Sequence, residues 1–210
     1  MQVEWYFDAV SPFAYLQAEQ LLDWMPAEKI RAIPVVLGAL LGHWQTRGPA
    51  EIPLKRVQTY RSALWRAEAL GLPFRFPPAH PFDPLPLLRL CIAAGGGFAA
   101  AREVLRFVWR DGRSTVEPSA LDELGRRLGV SQPAESVNSP EVKRALRENT
   151  ERAMREGIFG VPALRAGGDV FWGEDATAME RRTCEQGAVW LGEGEWLRAA
   201  SLPVGVQRKT

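Results

Sequence analysis

The order of the secondary-structure signals predicts an α/β domain that is interrupted by an all-helical insertion. Three observations support this fold class: a strand–helix–strand opening, a long middle part with helix signals and little strand signal, and a strand–strand–helix ending. The opening predicts a parallel pair of strands joined by a right-handed crossover. The late strands are then expected to complete the same sheet, as in layered α/β domains.

The N-terminal elements have clear local signals. Residues 2–7 alternate apolar and polar side chains, which is typical of a strand. Ser11 followed by Pro12 indicates a helix start, because serine suits the N-cap and proline suits the first helical position. Apolar spacing extends this helix over residues 12–24, and a second strand is expected over residues 30–37.

The rest of the chain is predicted with longer irregular stretches. Pro34 inside the second strand indicates an edge position or a bulge. Residues 38–53, rich in glycine and proline, are expected to form a long loop. Helices are predicted over residues 55–70, 85–94, 98–110, 118–128, 140–156 and 175–187, with an irregular proline-dense segment over 73–86. Strands over residues 162–165 and 170–172 are expected to flank a hairpin turn at Gly167 and Gly168.

The composition argues against several classes of function. The chain has 26 basic and 25 acidic residues among 210, and this balance leaves no electrostatic footprint for a nucleic acid or an anionic membrane. Cys91 and Cys184 are far apart, so neither a C-x-x-C pair nor a disulfide framework is expected. With His43 and His80 as the only histidines, no metal site is expected. The N-terminus lacks the basic and apolar regions of a signal peptide, so we expect a cytoplasmic protein.

Ser11 permits two interpretations. Cap chemistry alone explains a serine before a proline. The N-terminus of a helix also carries about half a positive charge and free N–H groups, which stabilise a thiolate. No cysteine lies near position 11, so a thiolate there would have to come from a soluble thiol.

Five segments of the chain, taken together and in order, resemble one family. They are residues 7–16 (FDAVSPFAYL), 48–56 (GPAEIPLKR), 80–85 (HPFDPL), 159–162 (FGVP) and 171–175 (FWGED). These segments resemble 2-hydroxychromene-2-carboxylate isomerases and kappa-class glutathione transferases, which have a DsbA-like thioredoxin fold with a helical insertion. The resemblance implies a discontinuous thioredoxin-like domain, a helical insertion domain and a tail, over residues 1–38 with 158–200, 39–157 and 201–210 respectively.

The resemblance also implies a glutathione site. Ser11, as the catalytic residue, would donate a hydrogen bond to the glutathione sulfur and hold it as a thiolate, without acting as a nucleophile. The Val161–Pro162 peptide bond is expected to be cis, with its backbone paired to the glutathione peptide like an added strand. Asp175 would bind the γ-glutamyl ammonium, with Gly173 and Glu174 nearby. The alternatives are an ordinary proline at a strand start and capping acids at a helix start.

Further contacts are implied at the edge of this site. Lys55 would hold either a glutathione carboxylate or an acidic substrate. Thr46 lies near the position where family members often carry an amide side chain that contacts glutathione. His43 and His80 are candidates for the substrate pocket, although a histidine in a proline-rich loop also serves as an ordinary hydrogen-bond partner.

The leading hypothesis from the resemblance is a glutathione-dependent isomerase of a small substrate derived from an aromatic compound. A kappa-like glutathione transferase that conjugates electrophiles is one alternative, and a non-catalytic thioredoxin-like binding module is another. A dithiol oxidoreductase is disfavoured, because no second thiol lies near position 11. A homodimer is expected from the family alone, with no nucleic-acid or membrane partner.

Overall fold

The computed structural model describes residues 2–113 and 117–206, without the side chain of Pro118. Within these residues one sheet has the strand order β2-β1-β3-β4, where β1 is Val3–Phe7, β2 is Ile30–Pro34, β3 is Ala163–Ala166 and β4 is Asp169–Trp172. The helices are α1 (Pro12–Leu21), α2 (Leu37–His43), α3 (Pro53–Ala69), α4 (Leu85–Ala93), α5 (Gly97–Trp109), α6 (Pro118–Leu128), α7 (Pro133–Ser136), α8 (Pro140–Arg155), α9 (Thr177–Gln186) and α10 (Gly194–Ser201).

The strand β1 lies inside the sheet, where it pairs parallel with β2 and antiparallel with β3. Its alternating side chains serve two cores. Trp5 and Phe7 are fully buried in a large core that includes residues of α1, α4 and α5. Tyr6 is buried in a smaller core with residues of α2 and α8. Helices therefore cover both faces of the sheet, which confirms the predicted α/β fold with helices inserted between β2 and β3.

The expectation of a continuous loop over residues 38–53 is wrong in its first part. The helix α2 begins at Leu37, and a short 3-10 turn follows at Pro49–Glu51. The N-terminus of α2 is capped from distant parts of the chain: the Val36 N–H donates to the Thr150 hydroxyl over 3.1 Å, and the Leu37 N–H donates to the Asp8 carboxylate over 2.8 Å. The predicted second strand accordingly ends at Pro34, on the sheet edge.

The helical insertion and the sheet share one hydrophobic core. Leu88 of α4 and Trp109 of α5 belong to the same buried cluster as Trp5 of β1. The expected division into two domains therefore stays a proposal. The helices α7 and α10 were not predicted, and residues 207–210 of the expected tail lie outside the described residues. None of the described helices combines the length and the apolar character needed to cross a bilayer.

Candidate active site

Ser11 lies in the turn that joins β1 to α1. It is 6 % exposed, and its Oγ accepts the Ala14 N–H over 3.3 Å, which is the predicted N-cap contact. The same hydroxyl donates towards the Val161 carbonyl over 3.5 Å, at the outer limit of a hydrogen bond. The first turn of α1 has no acidic residue, so no carboxylate of this helix offsets the positive end of its dipole. The Ser11 proton is therefore weakly engaged in a locally positive environment.

Asp8 shapes the turn that carries Ser11. Its carboxylate accepts the Val10 N–H over 3.0 Å and the Leu37 N–H over 2.8 Å, and its carbonyl accepts the Ser11 N–H over 3.1 Å. The side chain is fully buried, and this burial raises the pKa of Asp8 to about 7. Sequence reasoning missed Asp8, because its only local signal is its position directly after a strand.

Two further side chains hold the same turn from the helical insertion. The Trp109 indole N–H donates to the Ala9 carbonyl over 2.9 Å, and His80 Nε2 lies 2.8 Å from the Val10 carbonyl. A carbonyl only accepts, so Nε2 carries the proton. In a neutral ring, Nδ1 then shares the Tyr60 hydroxyl proton, 2.8 Å away, with the His80 backbone carbonyl, which lies 3.0 Å from the same hydroxyl. Burial lowers the pKa of His80, which favours this neutral ring. Both ring nitrogens are thus engaged inside the protein, and the substrate contact of His80 stays a prediction.

The Val161–Pro162 peptide bond is cis, as expected. Val161 is half-buried, and its N–H has no acceptor among the described residues. The Pro162 carbonyl accepts the Gly173 N–H over 2.9 Å, which ties this segment to the end of β4. Gly173 has φ +95°, and a Cβ there would collide with the Asp175 carboxylate, so this turn requires glycine.

The two acidic residues after Gly173 have different environments. Glu174 is 3 % exposed, and its carboxylate accepts hydrogen bonds from Gln20 over 2.6 Å and from Arg66 over 2.6 and 2.9 Å. Asp175 is exposed, and its carboxylate has no hydrogen-bond or ion-pair partner within the described part of the chain. Both line a cleft of about 280 Å³. The Glu174 carboxylate is already paired with Arg66, so of the two only the Asp175 carboxylate is available to an incoming cation.

A buried polar network connects β1, α1 and the turn at Gly173, and sequence reasoning missed it. Gln17 of α1 accepts the Trp5 indole N–H over 2.7 Å and donates to the Gly173 carbonyl over 3.1 Å and to Glu180 over 3.0 Å. Burial, with added repulsion from the nearby carboxylates, raises the pKa of Glu180 to about 8. This network fixes α1 against the turn that carries Asp175.

The structure does not join the remaining predicted residues to this centre. His43 at the end of α2, Thr46 in the following loop and Lys55 in the first turn of α3 are all exposed. Among the described residues no hydrogen bond links them to Ser11 or Asp175, and their roles stay predictions. Neither cysteine lies in the site, and burial raises the pKa of Cys91 to about 12.

Comparison with known proteins agrees with this geometry. The model of the DSBA-like thioredoxin domain family matches residues 2–182. Glutathione S-transferase kappa 2 of Caenorhabditis elegans is 29% identical over 176 residues, which cover 76% of this chain and 78% of that protein. The 2-hydroxychromene-2-carboxylate isomerase of Pseudomonas putida is 28% identical over 200 residues, or 90% of this chain and 98% of that protein. A solved structure of 2-hydroxychromene-2-carboxylate isomerase superposes with a TM-score of 0.79 at 23% identity, covering 90% of this chain and 99% of that one.

These relatives are enzymes, an isomerase and a glutathione transferase, and the solved structure shares the same fold. The family match alone spans most of the 210 residues. This protein therefore belongs to the family of DSBA-like thioredoxin domains.

Proposed function

We propose that this protein is a glutathione-dependent isomerase, similar to 2-hydroxychromene-2-carboxylate isomerase, that acts on a small conjugated acid derived from an aromatic compound. The observation that carries the proposal is the Ser11 hydroxyl, weakly bonded over 3.5 Å to Val161 at the N-terminus of α1. Similarity to the isomerase over nearly the full length of both chains supports this reaction class.

Three groups of this chain fit the three parts of glutathione. The hydroxyl and the helix N-terminus suit an anionic sulfur. The Val161 N–H, without an acceptor among the described residues, suits a peptide carbonyl. The exposed Asp175 carboxylate suits an ammonium group. Lys55 and Thr46, which are also exposed, are proposed to contact the other end of the peptide.

Bound glutathione would supply a thiolate that adds reversibly to a conjugated carbon of the substrate and leaves after a bond has rotated. Ser11 donates a hydrogen bond to that sulfur and lowers its pKa, and it forms no covalent bond. The turn from Asp8 to Ser11 stays fixed through its hydrogen bonds, so the hydroxyl is pre-oriented. His43 and Lys55 are the proposed polar contacts for the acidic substrate, and His80, whose two ring nitrogens are engaged by Val10 and Tyr60, is proposed to line its pocket.

Binding of glutathione is the first test. Glutathione that binds only the folded state must raise the melting temperature in a titration by mass action. A melting temperature that stays constant up to saturating glutathione would sink the proposal and favour a non-catalytic binding module.

The role of Ser11 is tested with a matched control. Ser139 caps α8 in the same way, since its Oγ accepts the Val142 N–H over 3.2 Å and Pro140 follows it. Ser11→Ala and Ser139→Ala should each lose about 1 kcal/mol of stability. Only Ser11→Ala should raise the thiol pKa of bound glutathione, by about one unit, because a hydrogen bond to a charged group is worth roughly 1.5 kcal/mol or more.

The thiol pKa is read from the ultraviolet absorbance of the thiolate across a pH titration. An unchanged thiol pKa in Ser11→Ala, or an equal change in Ser139→Ala, would mean that Ser11 is a helix cap only.

A kappa-like glutathione transferase is the second candidate, favoured by the 29% identity to the kappa 2 transferase. The two reactions differ in thiol balance. An isomerase returns every thiol, whereas a transferase consumes one thiol for each product formed. Titration of free thiol during turnover of the substrate therefore separates them: a constant thiol concentration supports the isomerase.

Location and assembly remain proposals. We propose a cytoplasmic protein, because glutathione keeps thiols reduced in that compartment. A homodimer is proposed from the family, and its mass in sedimentation is the measurement that tests it.

A further inference from the structure

Three aromatic side chains lie exposed near the cis Val161–Pro162 peptide bond. Trp44 is 41 %, Phe159 is 44 % and Trp172 is 55 % exposed, and we name these three residues the aromatic patch. Aromatic side chains usually bury most of their surface in a core or an interface. Adjacent aromatic rings left in solvent near a reaction centre therefore indicate a binding surface.

The aromatic patch is built on the segment that leads into Val161. The Trp44 indole N–H donates to the Ile158 carbonyl over 3.0 Å. The rings of Phe159 and Trp172 meet edge to face, with centroids 5.1 Å apart at 61°. A Cβ on Gly160 would lie 2.5 Å from the Trp172 indole nitrogen, so the indole rests directly on the Gly160 backbone.

This attachment places the aromatic patch next to the proposed thiol site. Phe159 lies two residues before Val161, whose carbonyl accepts the hydrogen bond from the Ser11 hydroxyl. The same short segment thus contacts Ser11 at one end, and at the other it carries Phe159 and contacts Trp44 and Trp172. A reaction between a thiol and a second molecule needs a subsite for that molecule within reach of the sulfur.

We propose that the aromatic patch binds the flat, conjugated part of the second substrate. This inference rests on the proposed function and adds the residues that select the substrate. Rings that meet edge to face present a π-surface to a third ring, which favours planar conjugated groups over saturated ones. His43, which packs edge-on against Trp44 with centroids 5.0 Å apart, extends this surface.

The size of the aromatic patch favours a small molecule over a second protein chain. Three side chains of about 150–250 Å² each, roughly half exposed, offer on the order of 300 Å². A stable protein interface needs about 800 Å² on each partner. The available area matches one or two fused rings.

The experiment compares two carboxylates of different shape by titration calorimetry without glutathione. Naphthalene-2-carboxylate is flat, and decahydronaphthalene-2-carboxylate carries the same charge on the same carbon skeleton in saturated form. The full-length protein should bind the flat acid more tightly. Trp172→Ala and Phe159→Leu should each weaken that binding about fivefold, since an aromatic pair is worth about 0.5–1.5 kcal/mol. Trp196→Ala, which removes a 49 % exposed indole from α10, is the control and should leave the affinity unchanged.

Equal affinity for both acids would overturn the inference, and so would wild-type affinity for the flat acid in Phe159→Leu. A change of sedimentation mass in Trp172→Ala with unchanged affinity would instead identify the aromatic patch as a contact between chains. Phe159→Leu keeps an apolar side chain, so it remains informative if Trp172→Ala folds poorly.

The results that would contradict the proposed function differ from those that would contradict the aromatic subsite. If glutathione does not raise the melting temperature of the wild type, the glutathione site is wrong, while the two-acid comparison still reports on the aromatic patch. If glutathione binds equally to wild type and Phe159→Leu but the acids are not distinguished, only the aromatic subsite is wrong.

Discussion

The substitution His80→Leu should weaken the turn that holds Ser11. His80 Nε2 donates to the Val10 carbonyl over 2.8 Å, Nδ1 accepts from the Tyr60 hydroxyl over 2.8 Å, and the ring packs edge-on against Trp109 at 5.2 Å. Leucine fills part of this space but donates nothing. The half-buried Val10 carbonyl would then lose its imidazole donor, whereas the Tyr60 hydroxyl would keep its hydrogen bond to the backbone carbonyl at position 80, 3.0 Å away.

The magnitude follows from these bonds. A buried group left without its partner costs about 1–3 kcal/mol, so we expect a loss of about 2 kcal/mol in the free energy of unfolding. For a chain of this length that corresponds to a drop of roughly 4–8 °C in melting temperature. His80→Gln can place an amide nitrogen near the position of Nε2, so it should lose less than half as much.

The assay is urea unfolding of the wild type, His80→Leu and His80→Gln across pH. Because burial holds the pKa of His80 below 6.5 in the folded state, the unfolded chain binds the proton more tightly. The wild type should therefore lose stability as pH falls through 6.5, and this contribution should vanish in His80→Gln. Equal unfolding free energies for His80→Leu and His80→Gln would refute the reasoning, since they would show that the donated hydrogen bond contributes nothing.

Other substitutions test the same structure by stability measurements. Gly160→Ala should cost about 1–3 kcal/mol, because its Cβ would lie 2.5 Å from the Trp172 indole nitrogen, whereas Gly192→Ala in open space should be nearly neutral in the same thermal scan. Glu19→Gln should cost about 2 kcal/mol in the free energy of unfolding, measured with urea at pH 7. Burial alone would raise the pKa of Glu19, but hydrogen bonds from two arginines of α5 hold this pKa below 4.5. The stability advantage of the wild type should therefore disappear as pH falls below 4.5. Glu180→Gln should remove a loss of stability that the wild type shows as pH rises from about 4.5 to about 8, the range between the ordinary pKa of this carboxyl and its raised value; a pH dependence identical to the wild type would contradict the assignment.

Local chemistry made part of the fold predictable. Ser11 before Pro12 carries its own helix-start signal, and the observed N-cap bond to Ala14 confirms it. The glycines at 167 and 168 likewise predict the hairpin without knowledge of any distant residue. The helix α2 escaped prediction because Asp8 and Thr150 cap it from far along the chain, and no local signal marks such contacts.

The candidate site, like the fold, was predictable only in part from the sequence. Sequence placed Asp175 at a helix start but could not reveal that Glu174 would instead be neutralised by Arg66, which is 108 residues away. The support of the Ser11 turn by Tyr60, through His80, depends equally on tertiary packing. Residues that act through others have no spacing rule, so only coordinates bring them together.

The separation of β1 from β3 along the chain has a consequence for how the protein is made. The site joins Ser11 to a residue 150 positions later, and β1 cannot pair with β3 until the whole helical insertion has been synthesised. Doubling a loop adds only about 0.6 kcal/mol of closure entropy, so the insertion weakens the finished fold little, but such long-range pairing slows folding. On the ribosome, β1 meets β2 early and then exposes one unpaired edge while most of the remaining chain emerges. Nascent and truncated chains therefore carry an open sheet edge and no assembled site, which makes them the species most prone to aggregate during expression.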